Sequence, residues 1–239
     1  MVRVIDREVF ANHHFFTIPD GLRDLELRRS TFRQCQAPAQ RTVEQRPTLR
    51  RITLNRCHVE VSDLGPVVAE DCTVDTVWFH RGIWGPQRLG GCGFKHVVFK
   101  GNIQGALEID YSPEWVGIGR YALDDPFVVA NASFYEEVDW ALDISEARFT
   151  NCWLHYSDIP ARLVRRDPLT QIVVRREKAL GRDWTKAQLP EGAWRFSITD
   201  FLKTGLPDLI LVACKKSDRY GRQLDTIMQL RDEGIAELD

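Results

Sequence analysis

The sequence has no long apolar run and no marks of an exported chain. No stretch of 18 consecutive apolar residues occurs among its 239 residues, so no segment is predicted to cross a membrane as a helix. The first ten residues, MVRVIDREVF, lack the basic segment and continuous apolar core of a signal peptide. We therefore expect a cytoplasmic protein that does not bind a membrane.

The spacings that mark common catalytic and metal sites are also missing. The six histidines form no HExxH motif, and the six cysteines form no CxxC pair. The glycine-rich stretches LGGCG and VGIGR lack the lysine of a phosphate-binding loop and the third glycine of a dinucleotide-binding motif. These absences favour a protein with no catalytic residues, no metal and no cofactor.

What the sequence does contain is an internal repeat. From Leu49 to Phe99 every fifth residue is apolar, a period that fits neither an amphipathic helix nor a half-buried strand. The residue two places earlier is usually small or β-branched, so two side chains in every five are predicted to face a common core. Five cysteines occupy this small position or its equivalent, and we expect them to be buried free thiols. They are Cys35, Cys57, Cys72, Cys92 and Cys152.

Residues 52–81 read ITLNR, CHVEV, SDLGP, VVAED, CTVDT and VWFHR. In this register they resemble the pentapeptide repeat family, whose pattern is a small residue, any residue, Leu or Phe, and two polar residues. The resemblance implies an all-β solenoid, namely a right-handed quadrilateral β-helix. In such a helix four pentapeptides form one coil, and each coil stacks on the next by backbone hydrogen bonds.

Breaks in the register and a change of composition after Pro160 predict three parts. Residues after Pro160 include helix formers and clustered arginines, so an α-helical domain is expected to close the open end of the solenoid. The parts are an N-terminal cap (1–19), the β-helix (20–164) with insertions at 38–46 and 110–126, and an α-helical C-terminal domain (165–239). After the second insertion the repeat is predicted to resume at Phe127.

Charge is distributed unevenly although the formal net charge is only -2. Nine arginines and four acidic residues lie between Asp20 and Arg56, whereas residues 105–146 contain ten acidic residues and one basic residue, Arg120. The ten are predicted to form an acidic partner-binding surface: Glu108, Asp110, Glu114, Asp124, Asp125, Glu136, Glu137, Asp139, Asp143 and Glu146. A surface of this sign attracts cationic clefts on other proteins.

The family resemblance implies a specific partner for that surface. Pentapeptide repeat proteins that protect DNA gyrase or topoisomerase IV, and so give antibiotic resistance or self-resistance, are thought to imitate duplex DNA. The resemblance therefore implies a non-enzymatic protein that binds gyrase or topoisomerase IV by DNA mimicry and does not itself bind nucleic acid. Some of these proteins join two subunits through a C-terminal helix, which implies a homodimer formed by the C-terminal helices here.

Two alternatives stay open. Outward apolar residues favour an interaction scaffold or immunity-type protein, since exposed apolar clusters usually mark a partner site. The candidates are Trp78, Val98 and Trp153, with His58, Trp78 and Val98 predicted to occupy equivalent outward positions on successive coils. The second alternative is an enzyme with a pocket between the 110–126 insertion and the β-helix. Its candidate lining residues are Trp115, Tyr121, Asp124, Asp125, Glu136 and His155.

Overall fold

The structure of the chain, a computed structural model, describes residues 2–12, 22–35, 42–60, 62, 66–80, 86–111 and 122–237. These residues contain 17 strands and four α-helices. The strands are β1 (Arg3–Asp6), β2 (Val9–Ala11), β3 (Leu22–Arg28), β4 (Thr31–Arg33), β5 (Thr48–Asn55), β6 (His58–Glu60), β7 (Val68–Glu70), β8 (Thr73–Asp75), β9 (Trp78–His80), β10 (Gln87–Gly90), β11 (Gly93–Lys95), β12 (Val97–Asp110), β13 (Leu142–Asp143), β14 (Ala147–Tyr156), β15 (Val164–Arg165), β16 (Gln171–Arg175) and β17 (Asp208–Val212). The helices are α1 (Pro126–Glu136), α2 (Arg176–Ala179), α3 (Gly192–Thr204) and α4 (Tyr220–Asp232).

Strands β1 to β15 pair in parallel, in successive levels of one sheet. The chain length between paired residues varies from level to level. It is short between β5 and β7, longer between β3 and β5, and longer still between β12 and β13. The pairs that show this are Thr48 with Val68, Leu22 with Leu49, and Val97 with Leu142. Each level therefore satisfies the backbone groups of the level before it, while the connections between levels differ in length.

The predicted fold class, an all-β right-handed quadrilateral β-helix with an α-helical C-terminal domain, is wrong. The described strands form a parallel sheet that curls into an open half-barrel, and the helices pack beside it in a mixed sheet and helix fold. Two findings overturn the prediction. The parallel strands leave the half-barrel open and do not close into four-sided coils, and the C-terminal third contains strands as well as helices.

The five-residue period itself has a clear structural cause. Residues in the left-handed backbone conformation bend the chain, within β5 at Arg51 and between strands at the other positions named here. Several of them are separated by multiples of five: Arg51, Arg56, Asp71, Thr76 and His96. Each costs about 1 kcal/mol or more for an L-residue, so pairing and burial must offset this cost. Nine of the eleven apolar positions from Leu49 to Phe99 lie in the described part of the chain. All nine belong to or pack against one apolar core.

Helix α1 lies where the repeat was predicted to resume, so the predicted resumption at Phe127 is wrong. Pro126 occupies the first turn, and the Asp125 carboxylate accepts a 2.8 Å hydrogen bond from the backbone N–H of Phe127. Both features favour a helix start. The buried residues Phe127, Asn131 and Tyr135 are four apart, which is the spacing of one helical face.

The C-terminal third combines an antiparallel strand pair with three helices. Ile172 of β16 pairs with Leu211 of β17, and β17 also pairs with β14 through Leu154 and Ile210. Helices α3 and α4 cover this pair and contribute Phe201 and other fully buried side chains to a second core. The region is therefore attached to the main sheet by backbone pairing. No helix in the described part of the chain has the length and apolar character needed to cross a bilayer.

Candidate functional site

Two of the ten predicted acidic residues lie in a half-buried ion-pair cluster. Arg88 of β10 pairs in register with Glu108 of β12, and the Arg88 Nε atom lies 3.2 Å from the Glu108 carboxylate. Arg88 also forms an ion pair with Asp110, which is 6% exposed. Burial raises the pKa of Glu108 above its ordinary value. The structure therefore pairs Glu108, which is half-buried, and Asp110, which is buried, with Arg88, so neither presents a free carboxylate to a partner.

The candidate residues around the second insertion are distributed along α1. Asp125 caps the helix start, whereas Glu136 is its last residue. Eleven residues at a rise of about 1.5 Å each separate these carboxylates by roughly 16 Å. Glu114, Trp115 and Tyr121 lie outside the described residues, as does the side chain of His155. The structure thus does not bring Asp124 or Asp125 together with Glu136 in one pocket.

Four other predicted acids form what we call the acidic strip: Glu136, Glu137, Asp143 and Glu146. The three glutamates are exposed, and Asp143 is half-buried. No strip carboxylate forms an ion pair with a residue in the described part of the chain. Ser145 orients Asp143 by donating from its hydroxyl at 2.6 Å and its backbone N–H at 3.0 Å. Among the described residues the strip therefore has no ion pair, although Arg165 of β15 is the in-register neighbour of Asp143.

Asp139 lies beside the strip in a second arrangement, which is built on His96. The His96 ring is within 2.6 Å of Asp139 through Nε2 and within 3.0 Å of Asp71 through Nδ1. The Asp139 carboxylate, with a smaller contribution from Asp71, raises the pKa of His96 above 6.5. The same ring packs 4.8 Å from Trp140, and the Arg165 guanidinium lies 4.0 Å above the indole. This stack borders the acidic strip with cationic and aromatic groups.

The outward apolar candidates do not form one column. Trp78 is 46% exposed and stacks on His58 with ring centroids 5.2 Å apart, as predicted for neighbouring levels. Val98, however, pairs with Thr73, while Trp78 pairs with Gln104. The predicted equivalence of Trp78 and Val98 is wrong because the connection after β9 is longer than a regular coil allows. Trp153 is half-buried and pairs with Glu108.

Four of the nine arginines between Asp20 and Arg56 pair with carboxylates one level away. Arg29 pairs with Asp6, Arg51 with Asp24 and Arg50 with Glu70. Arg33 lies 2.8 Å from the carboxylate of Glu60. The basic charge counted between Asp20 and Arg56 therefore serves in part to connect successive levels, although exposed ion pairs of this kind contribute little to stability.

Sequence reasoning missed a buried polar network around Asn131 of α1. Arg46 donates from Nη1 to the Asn131 side-chain oxygen at 2.6 Å and to the Gly91 carbonyl at 3.0 Å. The Asn131 amide in turn donates to the Cys92 carbonyl at 3.2 Å and to the Asp158 carboxylate at 2.9 Å. Burial raises the pKa of Asp158 to about 7. Asparagine on an apolar helix face was the one sequence signal for this network.

Within the described residues, no group of three or more His, Cys, Asp or Glu side chains is arranged to hold a metal ion. All six cysteines are free and buried, in agreement with the expectation of core thiols. No known protein family matches the chain, and no curated protein matches it. The resemblance to pentapeptide repeat proteins therefore stays a prediction from the residues quoted above.

Proposed function

We propose that this chain is a non-enzymatic cytoplasmic protein that binds a protein partner with a cationic surface. The acidic strip is the observation that carries the proposal. Four carboxylates lie close together in the chain, between the end of α1 and the start of β14, and none forms an ion pair with a described residue. Negative charges that lie near one another repel, and a cationic partner relieves this repulsion and is also steered toward the site.

The neighbouring stack supports the same role for this face. Trp140 is half-buried between His96 and Arg165, so its indole contributes apolar contact area with little further loss of conformational freedom. Aromatic and arginine side chains are enriched among residues that dominate protein interfaces. In this proposal the acidic strip orients the cationic partner, and the stack of His96, Trp140 and Arg165 provides a rigid contact beside the strip.

DNA gyrase and topoisomerase IV are the first partners to test, because the family resemblance implies them. The assay measures supercoiling by purified gyrase, with and without a gyrase poison, across a titration of this protein. We expect protection from the poison and loss of protection in Glu136→Lys/Glu137→Lys. Glu177→Lys is the matched control, since Glu177 is an exposed acid on a different helix. Unchanged inhibition at excess protein excludes gyrase as the partner.

The wider proposal, binding of a cationic protein surface, has its own test. Crosslinking of the chain in cells followed by mass spectrometry should recover partners that Glu136→Lys/Glu137→Lys loses and Glu177→Lys keeps. Recovery of the same proteins with the wild type, with Glu136→Lys/Glu137→Lys and with Glu177→Lys contradicts a role for the acidic strip. Sedimentation of the purified protein measures the proposed homodimer. The apolar face of α4, with Ile227 and Leu230, already packs in the second core, whereas Met228 is exposed.

A second candidate function is the interaction scaffold, for which the exposed Trp78 on His58 is the specific observation. An exposed tryptophan held by a neighbouring ring is a preformed anchor for an apolar pocket on a partner. Trp78→Ala should abolish capture of such a partner, while Leu169→Ala, at another exposed apolar residue, should not. Equal capture by both variants argues against this function.

A further inference from the structure

The interior of the sheet between β1 and β12 contains a cavity of about 380 Å³. One of its walls is a column of inward-facing side chains in register on successive strands. Ile5 pairs with Leu27, Leu27 with Leu54, Leu54 with Val74, and Val74 with Phe99. Four interstrand steps of about 4.8 Å give this wall a length of roughly 19 Å. The cavity is therefore long as well as apolar.

Its volume and lining are those of a ligand site. Protein interiors are close-packed, and voids larger than a water molecule are rare. Apolar cavities do not hold water well and take up apolar molecules instead. Pockets for small ligands start at about 300 Å³ and are lined mainly by apolar groups. A cavity of this size inside an otherwise regular sheet is sufficient for an extended alkyl chain.

Burial does not change steadily along the column, since Leu27 and Phe99 are buried whereas Ile5, Leu54 and Val74 are half-buried. The end of the cavity is marked instead by the strand pairing. Within the described strands, β1 pairs only with β3 and β2 only with β4, so these two strands form an edge of the sheet. The geometry points to entry at this edge, between the inward side chains of β1 and β2.

Arg3 is the one charged side chain among the described residues that line the cavity. It lies at the edge in β1 and forms no ion pair with any residue in the described ranges. This distinguishes it from the nearby Arg28 and Arg29, which pair with Glu26 and Asp6. An arginine that forms no ion pair with any described residue, at the entrance of an apolar cavity, favours a ligand with an anionic head and an apolar tail.

We propose that this cavity binds a fatty acid, with the alkyl chain along the Ile5 to Phe99 column and the carboxylate on Arg3. The site is independent of the acidic strip, since none of the four strip carboxylates lines the cavity. Alkyl chain burial supplies most of the affinity, because each methylene removed from water adds a similar increment. Arg3 supplies the preference for an anionic head.

The test is displacement of a dansyl-labelled fatty acid from the full-length protein by palmitate. We expect saturable binding of one probe, complete displacement by palmitate, and weaker displacement by lysophosphatidylcholine, whose head is zwitterionic. Arg3→Glu should weaken palmitate binding by about tenfold or more, the scale of one lost ion pair. Arg7→Glu, at an exposed arginine outside the lining, should leave it unchanged.

Filling the cavity tests the alkyl site directly. Ala69→Phe should abolish binding while the circular dichroism spectrum stays native, since Ala69 is buried and lines the cavity. Leu25→Phe is the second variant should Ala69→Phe not fold. The proposal is overturned by absence of probe binding to the wild type, by equal losses in Arg3→Glu and Arg7→Glu, or by full binding in a folded cavity-filled variant. The proposal is likewise overturned if the protein binds no fatty acid and instead forms a dimer that Val9→Lys dissociates. That result would assign the β1 and β2 edge to contact with a second copy of the chain.

Discussion

Two regions of the molecule bury their apolar side chains to different extents. One is the set of levels built by β1 to β9, and the other is the C-terminal unit of β16, β17, α3 and α4. In the first region the inward residues come from one layer of strands, and several of them, including Phe32 and Leu54, are only half-buried around a cavity. In the second region side chains from helices and strands interdigitate, and Ile172, Phe201 and Leu209 are fully buried.

The difference shows that a sequence repeat directs side chains toward a common interior but does not by itself fill that interior. Three-residue strands contribute few inward atoms at each level, so a gap opens wherever the side chains are small, as at Ala69 and Cys72. A second layer of helices brings large side chains from another direction and removes such gaps. Close packing in this protein is therefore a property of its layered region.

The strongest test of this contrast is truncation of one phenylalanine in each region. Phe201→Ala should cost about 3–5 kcal/mol of unfolding free energy because it leaves a void in a closely packed core. Phe32→Ala should cost roughly 1–2 kcal/mol, since its ring is half-buried and already borders a cavity. Urea unfolding followed by circular dichroism measures both values. Equal losses would show that the two regions are packed alike.

The polar network around Asn131 should respond to pH. The folded state raises the pKa of Asp158 from 3.8 to about 7, mainly by burial, while Asn131 and Arg46 oppose this rise and Asp110 adds to it. The native protein therefore binds this proton more tightly than the unfolded chain, so the Asp158 contribution to stability falls as pH rises from about 4 to about 7.

Asp158→Asn removes this titration while keeping an oxygen that accepts from Asn131. Relative to the wild type, the variant should gain roughly 1–3 kcal/mol of unfolding free energy at pH 8 and much less at pH 4. Unfolding free energies of both proteins at several pH values give the comparison, and Glu146→Gln serves as an exposed control. Parallel pH profiles for Asp158→Asn and the wild type would contradict the buried network.

A larger side chain should stabilise the protein beside the cavity and destabilise it in a closely packed part of the core. Ala69→Leu places methyl and methylene groups next to the cavity and should stabilise the protein by about 1 kcal/mol. Ala141→Leu adds the same atoms at a fully buried alanine away from the cavity lining and should destabilise it by about 1–3 kcal/mol. Thermal unfolding midpoints report the sign of each change. A loss of stability in both variants would mean that the cavity walls do not accept a larger side chain.

The smallest expected effect concerns His96, on the exterior of the sheet. Two carboxylates raise its pKa, so its stabilising contribution is present below pH 6.5 and declines as pH rises through the folded-state pKa. NMR titration of the His96 ring should give a pKa that falls toward 6.5 in Asp139→Asn and stays high in Asp143→Asn. A pKa insensitive to Asp139→Asn would show that the ring and this carboxylate do not interact in solution.

The five-residue period predicts which side chains face the interior, but it does not predict the lengths of the connections between strands. The apolar register from Leu49 to Phe99 correctly predicted which described residues face the core, because left-handed turns recur with the same period. It could not predict that Val98 pairs with Thr73, since that register depends on the length of the connection after β9. The same limitation led to the wrong prediction of uniform closed coils.

The predictions for α1 and for the C-terminal third are wrong for different reasons. Asp125 followed by Pro126 is a helix-start signal, whereas the five-residue register places both residues in the second insertion and predicts that the repeat resumes directly after them, at Phe127. Short apolar runs such as those of β16 and β17 fit a strand or a buried helix segment equally well, so periodicity does not distinguish them. Two partners of Asn131, Asp158 and Arg46, come from distant segments of the chain, and local patterns carry no information about them.

Neighbouring strands of one level lie the same number of residues from their partners in the next level, and this has a practical consequence. Strands β3 and β4 advance to the next level by the same length of chain, and so do β5 and β6, so each level shifts as a block. Between β3 and β11 the sequence separation of paired strands changes only after β4 and after β9. These two connections are therefore natural places to graft a peptide or a reporter domain, because lengthening them leaves the strand alignment intact.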